Sequence, residues 1–242
     1  INFIPLENHI EKNASIKDNE EIENIKEAAY ISDLTFEYIT NLVKPGISEN
    51  EIAAEISYFS KKQGSEKDAF PPIVASGKRS SLPHGAPTDK LIEDGDMVIL
   101  DFGATVNGYK SDLTRTVFVN SPTEELKKIY NIVLKAQSMA VEKAKPGVKC
   151  STLDRIARTY ICKKRYGDYF GHSLGHGIGL GTHSYPKISG GTPNRLKKGM
   201  TITIEPGIYI PGLGGVRIED DILITANGCT FLTNSSREMT VL

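Results

Sequence analysis

The sequence predicts an α+β fold built from two related halves, and three observations indicate it. Amphipathic helical patterns are followed by strand-like apolar runs. The same succession of helix, helix, loop and strand occurs twice along the chain. Two pairs of strand-like segments are each joined by a glycine-containing turn, as expected of antiparallel hairpins.

The first half opens with apolar residues at helical spacing from about Asn19 to Val43. This helix is expected to end at the Lys-Pro-Gly sequence that begins at Lys44. Ser48-Glu49-Asn50-Glu51 is a capping box, and it predicts a second helix to about Lys62. An apolar PPIVASG stretch, a polar loop that contains His84 and the strand-like run MVILDFG follow.

The second half repeats these signals. Ser121-Pro122-Thr123-Glu124 predicts another capping box, with Pro at the first helical position. We expect the helix that it opens to end at the Lys-Pro-Gly sequence beginning at Lys145. Ser151-Thr152-Leu153-Asp154 then predicts the start of the next helix, before a glycine-rich loop around His176 and the strand TITIEPG.

Three pairs of segments align between the halves. KPGISENEIA at 44 matches KPGVKCSTLD at 145, an offset of 101 residues. LPHG at 82 matches LGHG at 174, an offset of 92, and GDMVILDFG at 95 matches GMTITIEPG at 199, an offset of 104. Three matches in one order indicate an internal duplication, which aligns Asp101 with Glu205 and His84 with His176. A site shared by both halves is expected at their interface, a common place for pockets.

Composition excludes several functional classes. The chain has 242 residues, enough for one large domain or two small ones, with 39% hydrophobic and 24% charged residues. The net charge is −1 and Lys and Arg are spread along the chain, so we expect neither a nucleic acid nor a membrane as partner. The three cysteines have no CxxC spacing, so they predict bystander thiols in a cytoplasmic enzyme.

Asp101 and Asp112 are predicted to lie on one face of a hairpin. Asn107-Gly108 is a strong type I′ turn signal, and counting back from it pairs Gly103 with Asp112. Asp101 is then the diagonal neighbour of Asp112 on the paired strand, and their backbones are expected to lie about 7–8 Å apart. Gly103 is expected to leave open space for a cation. Two acids on a solvated face are the alternative, but the apolar run before Asp101 favours burial, which a metal or Arg115 must compensate.

Glu205 and Glu219 are predicted to face each other across a second hairpin. Their strand-like segments, TITIEPGIYI and VRIEDDILI, are joined by the glycine-rich sequence PGLGG. A hairpin symmetric about Gly212 places the two glutamates opposite each other, with Arg217 two residues along the same face.

Four of the five histidines lie in two glycine-flanked segments, and these four are the functional candidates. They are His84, His172, His176 and His183. Glycine on both sides of His176 lets backbone approach a ligand closely. A phosphate-binding loop is the competing interpretation of GHGIGLG, but the Lys-Ser/Thr of such loops does not follow it. His9 is interpreted as an ordinary core or surface residue.

Four carboxylates and one imidazole together have the chemistry of a site for two divalent cations. They are Asp101, Asp112, His176, Glu205 and Glu219. A pair of such cations activates water for hydrolysis, so the sequence predicts a two-metal hydrolase.

These motifs resemble those of the methionine aminopeptidase, Xaa-Pro peptidase and creatinase superfamily over nearly all of residues 20–242. The resemblance implies the pita-bread fold, in which helices cover a curved antiparallel sheet with pseudo-twofold halves. DFG…GYKSDLTRT, HGIGL, TIEPGIY and VRIED are most similar to the branch that contains prolidases and aminopeptidase P. Methionine aminopeptidases usually have Gly before the second Asp and lack the TRT that follows it here.

The resemblance implies roles for individual residues. Asp101, Asp112, His176, Glu205 and Glu219 match the ligands of two metal ions, which are Mn, Co, Zn or Fe, with Mn or Co favoured. His84, His172 and His183 match histidines that contact substrate or handle protons, and Arg217 matches an arginine of the active site. Glu205 is also expected to accept the proton of the attacking water. The implied substrate is a di- or oligopeptide with proline in second place.

The resemblance also implies a domain organisation. Xaa-Pro peptidases usually carry an additional N-terminal domain that helps dimerisation, so we expect a homodimer for the full-length protein. We interpret residues 1–18 as a leader that resembles the tail of such a domain, and residues 19–242 as the catalytic domain, with halves of about 19–120 and 121–242. Ser184 departs from the family pattern, because many relatives have Glu after the histidine of HxxP.

Two alternatives belong to other functional classes. A methionine aminopeptidase would use the same metal site with an apolar pocket for methionine. A non-catalytic peptide-binding module would have the same fold, but such modules have lost ligands and all five ligand positions are intact here. Amidinohydrolase chemistry of the creatinase kind has no specific support in the sequence.

Overall fold

Residues 8–242 are described by a computed structural model, in which helices pack against sheets that are antiparallel except for the last strand, which pairs in parallel. The five α-helices of this part of the chain are α1 (His9–Ala14), α2 (Asn19–Thr40), α3 (Glu49–Lys62), α4 (Glu124–Val141) and α5 (Cys150–Lys163). Two short 3-10 helices cover Gly77–Ser81 and Gly167–Tyr169. The proposed leader lies partly outside the described residues, and its described part includes α1, which buries none of its residues.

The strands form one sheet in each half and two short ribbons. The first sheet has the order β1-β2-β5-β13, formed by β1 (Ile73–Ser76), β2 (Met97–Phe102), β5 (Leu113–Phe118) and β13 (Thr240–Val241). The second has the order β12-β11-β8-β6-β7, formed by β6 (Gly175–Gly177), β7 (Ser184–Ile188), β8 (Thr201–Ile204), β11 (Asp220–Ile224) and β12 (Cys229–Phe231). The ribbons pair β3 (Thr105–Val106) with β4 (Tyr109–Lys110), and β9 (Gly207–Ile210) with β10 (Gly214–Arg217).

The predicted helix start at Asn19 is confirmed, and of the three predicted helix-opening motifs one is confirmed and two are wrong. Ser48 caps α3, because its hydroxyl accepts from Glu51 N–H while the Glu51 side chain accepts from Ser48 N–H. For α4 the cap is Thr123, which accepts from Leu126 N–H, so Ser121 and Pro122 precede the helix. For α5 the helix already begins at Cys150, after an N-cap residue whose side chain makes no capping hydrogen bond.

The duplication is visible in backbone hydrogen bonds. Gly46 N–H donates to Ile92 O at 2.9 Å in the first half, and Gly147 N–H donates to Leu196 O at 2.9 Å in the second. In both halves the Lys-Pro-Gly turn is therefore tied in the same way to the segment before the buried strand. A second equivalent pairing lies beside each of these hydrogen bonds. An isolated bridge joins Ser48 to Leu91 in the first half and Lys149 to Arg195 in the second.

Strand register confirms one of the equivalences that the duplication predicts and corrects the other. Ser76 pairs with Val98 in the first half, and Gly177 pairs with Ile202 in the second. This register keeps Asp101 equivalent to Glu205, because both lie three residues after the paired valine or isoleucine. It makes Ala75, and not His84, the counterpart of His176. His84 lies in a turn outside the sheet, so the LPHG match reflects composition and not position.

Each half has its own apolar core. The larger core packs α4 and α5 on the second sheet and includes Val216 and Ile218, both with 0% exposure. The smaller packs α3 and the end of α2 on the first sheet. The halves meet where Thr114 of β5 bridges Glu219, so this junction is where the carboxylates converge. None of the helices in the described range combines the length and apolar content of a membrane span.

Candidate functional site

A cavity of about 450 Å³ lies at the junction of the two halves. All nine residues that the sequence singles out line it. They are His84, Asp101, Asp112, His172, His176, His183, Glu205, Arg217 and Glu219. His9 lies on exposed α1, away from the cavity.

Both predicted hairpin registers are confirmed. Val106 pairs with Tyr109 across the Asn107-Gly108 turn, and the same register continues to Asp101 opposite Thr114. Ile210 pairs with Gly214, which is the predicted symmetry about Gly212, and β8 and β11 continue it. Because side chains alternate along a strand, these registers bring all four carboxylates to the same cavity.

Gly103 does not provide the predicted space for a cation. A Cβ atom at Gly103 would collide with the carbonyl oxygen of Ser111 and lie 3.0 Å from the Ala69 side chain. Glycine is needed here because two backbone segments pass close to each other. The open space lies instead between the carboxylates and the imidazole of His176.

Three side chains already have the spacing of metal ligands. Asp112, His176 and Glu219 each offer one ligand atom, and these atoms lie within 4.8 Å of one another. Glu205 Oε1 lies 3.3 Å from His176 Nε2, and Asp112 Oδ2 lies 3.8 Å from it. The Nδ1 of His176 is 3.2 Å from the carbonyl oxygen of Gly177, which can only accept, so Nδ1 carries the proton. The Nε2 lone pair therefore faces the carboxylates, as in a metal-binding histidine.

Unpartnered oxygens support the fit of a cation. Asp101 Oδ1 and Glu219 Oε1 are buried without a hydrogen-bond partner among the described residues. Leaving such oxygens unpaired is costly, whereas divalent cations bind carboxylate oxygens. The residues therefore fit metal ions.

Burial sets the protonation of the site. Desolvation, and then the charges of neighbouring carboxylates, raise the pKa of Asp112 and Glu205 well above its usual range and the pKa of Glu219 to about 8. Desolvation lowers the pKa of His176 to about 4, with His183 contributing. Without metal, acidic protons are retained and the imidazole is neutral, so metal binding must release protons.

The charge partner of Asp101 is Arg217 and not the predicted Arg115. Arg217 Nη2 donates to Asp101 Oδ2, and its Nη1 donates to the Tyr209 hydroxyl at 2.8 Å. Arg115 instead pairs with Asp220 Oδ1 at 2.6 Å, behind the cavity wall. The two arginines lie on neighbouring strands, so their partners depend on how the halves meet, which local sequence does not specify.

The three candidate catalytic histidines differ in their surroundings. His172 is held on both sides, with Nδ1 2.8 Å from Ser173 O and Nε2 2.9 Å from the Tyr209 hydroxyl. Burial, followed by the charge of Arg217, lowers the pKa of His172 to about 4. The His183 ring lies 4.4 Å from the His176 ring, and His84 lies in the turn on the opposite wall. Both His84 and His183 are exposed to the opening where a ligand would enter.

Comparison with known proteins assigns the family. A model of metallopeptidase family M24 matches residues 23–226. The chain belongs to this family. It is 54% identical over 224 residues to the Xaa-Pro dipeptidase of Pyrococcus furiosus, an alignment that covers 93% of this chain and 64% of the relative.

Solved structures of family M24 have the same fold. The Xaa-Pro dipeptidase from Bacillus anthracis is 50% identical with a TM-score of 0.97, over 99% of this chain and 68% of that chain. The X-Pro aminopeptidase from Thermotoga maritima is 44% identical with a TM-score of 0.96, over 100% of this chain and 68% of that one. The chain thus spans about two thirds of the length of the relatives it matches. The expected α+β pita-bread fold and Xaa-Pro peptidase resemblance are confirmed, and membership of a metallopeptidase family implies divalent metal ions.

Sequence reasoning missed several residues of the M24 site. The Tyr209 hydroxyl lies between His172 and Arg217, and Thr114 donates to Glu219 Oε2 at 2.5 Å. Asp221 accepts from Asp112 N–H at 2.8 Å. Alternation could have indicated Tyr209, because it lies two residues after Gly207 and four after Glu205 on one strand face. Thr114 and Asp221 act across the junction, where a single sequence offers no signal.

Proposed function

We propose that this M24 protein is a dinuclear metal-dependent peptidase that hydrolyses the bond between an N-terminal residue and proline. The observation that carries the proposal is the convergence of four carboxylates and a neutral imidazole in one open cavity, where three of the carboxylates are buried and that of Glu205 is partly buried. Similarity to Xaa-Pro dipeptidases at 54% and 50% identity supports the choice of substrate.

Asp101, Asp112, His176, Glu205 and Glu219 would hold the metal ions. Bound divalent ions lower the pKa of water and polarise the scissile carbonyl, which is the chemistry that the protein's own groups do not supply. Carboxylates with one imidazole accept Mn, Co, Zn or Fe, and we favour Mn or Co from the family resemblance. We expect two ions in each chain.

The remaining chemistry belongs to the side chains. Glu205 accepts the proton of the attacking water, because metal binding leaves its carboxylate ionised and its Oε1 faces the cavity 3.3 Å from His176 Nε2. His84 and His183 lie at the opening, where they contact the peptide and orient its carbonyl. The nitrogen of a peptide bond before proline must gain a proton to leave, and Glu205 is the group in the cavity best suited to return it.

The experiment is hydrolysis of a small peptide series by the metal-loaded protein. We expect cleavage of Ala-Pro or Ala-Pro-Gly, little cleavage of Met-Ala, and no cleavage after chelation. Metal analysis should give two ions per chain after loading with Mn²⁺ or Co²⁺. Preferential cleavage of Met-Ala would assign the protein to the methionine aminopeptidases. A metal content that stays at zero after loading would instead favour a non-catalytic binding module.

The same series separates dipeptidase from aminopeptidase P activity, since both names occur among the relatives. For the whole protein we also propose a homodimer, from the family resemblance, and a cytoplasmic location, from the cysteine pattern. Analytical ultracentrifugation and fractionation of cells test these two proposals.

A further inference from the structure

Helix α5 carries a buried acid–arginine pair that contacts the cavity wall from behind. Asp154 and Arg158 are one turn apart and form a two-pronged ion pair, with Nε–Oδ2 at 3.0 Å and Nη2–Oδ1 at 2.9 Å. Asp154 has 2% exposure, and Arg158 is partly exposed on the outer surface. A fork-to-fork contact of this kind fixes geometry as well as charge.

We propose that the Asp154–Arg158 pair is a positioning device that presents His172 to the cavity. The proposal rests on the Xaa-Pro peptidase function put forward above, because His172 is taken to act on that substrate. Neither Asp154 nor Arg158 lines the catalytic cavity, so the pair acts through the segment that it holds.

Three backbone groups at alternate residues bind this pair. Arg158 Nη1 donates to Phe170 O at 2.8 Å, and Nη2 donates to His172 O at 2.7 Å. Asp154 Oδ1 accepts from Leu174 N–H at 3.2 Å. The segment 170–174 has no regular secondary structure, and no described residue accepts a hydrogen bond from the backbone N–H of residues 171–173. The ion pair therefore supplies three hydrogen bonds to the backbone of a segment that is otherwise held by the buried side chains of Phe170 and Leu174.

The ring of His172 is fixed by the same arrangement. The Arg158 guanidinium lies 4.2 Å from the centre of the Phe170 ring, which meets the His172 ring edge-on at 5.1 Å. Ser173 O can only accept, so His172 Nδ1 carries the proton, and Nε2 accepts from the Tyr209 hydroxyl. Tyr209 in turn accepts from Arg217, the partner of Asp101. A continuous chain of contacts thus runs from α5 to a proposed metal ligand.

The pair also reaches the site by a second route. The carbonyl oxygen of Leu174 accepts from Glu205 N–H at 2.8 Å, while its N–H is held by Asp154. Leu174 lies two residues before His176. Asp154 thus fixes the backbone just before β6, the strand that carries His176. The same backbone accepts the hydrogen bond from Glu205 N–H.

The decisive experiment combines Arg158→Met with His172→Ala in the metal-loaded protein. Arg158→Met should lower kcat/KM for Ala-Pro by about 10- to 100-fold, the usual range for a residue that orients a functional group. In the His172→Ala background the same substitution should cause a clearly smaller loss, because the route through His172 is already gone and only the route through Leu174 and Glu205 remains. Losses that simply multiply would overturn the proposal.

A second readout does not depend on activity. Nitrogen NMR of labelled histidine rings should show the His172 signal, assigned by its loss in His172→Ala, with the proton on Nδ1. Arg158→Met should mix this tautomer with the other one, and an unchanged signal would also contradict the positioning role. If the wild-type protein holds metal but cleaves no Xaa-Pro peptide, the proposed function fails while the ring signal still decides the position of His172.

Matched variants control for folding. Arg155 lies exposed on the same helix and makes no hydrogen bond or ion pair with a described residue, so Arg155→Met should leave activity and ring signal unchanged. Arg158→Lys keeps the charge but not the fork, and we expect a loss of activity smaller than that of Arg158→Met. If Arg158→Met unfolds early in a thermal melt, Arg158→Lys supplies the same two comparisons.

Discussion

The two halves of the molecule hold their histidine-bearing loops by the same means but from different positions. In the first half the buried acid is Glu49, in the first turn of α3. In the second half the acid is Asp154, in the second turn of α5. Each acid binds an arginine, Arg79 or Arg158, which donates to a carbonyl of the loop.

Glu49 is the more fully satisfied of the two acids. Its carboxylate accepts from the backbone and hydroxyl of Ser76, from those of Thr88, and from Arg79 Nε at 3.0 Å. Ser76 and Thr88 bracket the loop that carries His84, so one side chain holds both ends. Its place near the start of a helix also favours negative charge.

In the second half the position equivalent to Glu49 is Cys150. Glu49 N–H donates to Lys90 O and Cys150 N–H donates to Asn194 O, so the backbones correspond. Cys150 is a buried thiol within the apolar core. The duplicated halves therefore share backbone hydrogen bonds, but they differ in the position of the buried acid. In each half the acid lies where it can bind the loop that carries a histidine.

The largest effect is expected at the equivalent residues Asp101 and Glu205. Asp101 is bound by Arg217, whereas the surroundings of Glu205 raise its pKa and favour a bound proton. Glu205→Gln should lower kcat about 10³-fold while metal content is largely kept, because glutamine ligates but takes no proton. Asp101→Asn should mainly weaken metal affinity, so added metal should restore part of its activity. Near-normal kcat of Glu205→Gln in metal-replete buffer would show that the base is another group.

The two helix starts should differ strongly in stability. Glu49→Gln leaves donors of Ser76, Thr88 and Arg79 facing an amide, and should lower the free energy of unfolding by about 3 kcal/mol. Cys150→Ala removes only a small apolar group and should cost about 1 kcal/mol. Urea denaturation of both variants measures the difference. Equal losses would mean that the buried charge has no special role in the first half.

The features that were predicted correctly from sequence are those that neighbouring residues determine. Both hairpin registers followed from turn residues and the two-residue period of strands, and the Ser48 capping box followed from side-chain spacing. These two hairpin registers bring four carboxylates to one cavity, so most of the candidate site was predictable. The carboxylates are those of Asp101, Asp112, Glu205 and Glu219.

The wrong predictions have both local and distant causes. Ser121 has capping chemistry, but Thr123 caps α4 two residues later. Ser151 also has capping chemistry, but α5 already begins at Cys150, whose N–H donates to the distant Asn194 O. Arg115 lies on the strand that pairs with the strand of Asp101, yet Arg217 from the other half is the partner of Asp101. Tertiary packing overrides local preference at Ser151 and Arg115.

The pH dependence of stability should reveal the raised pKa of Glu219. In the metal-free protein, desolvation and then the charge of Asp101 raise the pKa of Glu219 from 4.5 to about 8. A raised folded-state pKa gives stability that is present below pH 4.5 and lost as pH rises through 8. The free energy of unfolding of the wild type should thus fall relative to Glu219→Gln, by up to about 1.4 kcal/mol per pH unit in this window.

Comparison with Glu219→Gln cancels the histidines, since both proteins contain them. Mn²⁺ should remove the difference, because a bound cation keeps Glu219 ionised at lower pH. Parallel stability curves for the two metal-free proteins between pH 5 and 8 would contradict the raised pKa.

The smallest effect concerns the two walls of the cavity. The wall from the first half presents the apolar side chains of Phe70 and Ile73, whereas the wall from the second half presents Lys187 of β7. Lys187 has no ion-pair partner among the described residues, and Arg217 is already bound to Asp101. Lys187 is therefore the cation available to attract the free carboxylate of an Xaa-Pro dipeptide.

Lys187→Met should raise KM for Ala-Pro about five-fold, or about 1 kcal/mol, the upper range for a solvent-exposed ion pair. KM for Ala-Pro-amide should be unchanged, because a neutral amide replaces the C-terminal carboxylate of that peptide. The effect on Ala-Pro should shrink in high salt, since exposed charges are screened. Lys198→Met, an exposed lysine outside the cavity, is the matched control. An equal rise in KM for the dipeptide and its amide would show that Lys187 shapes the wall without binding the carboxylate.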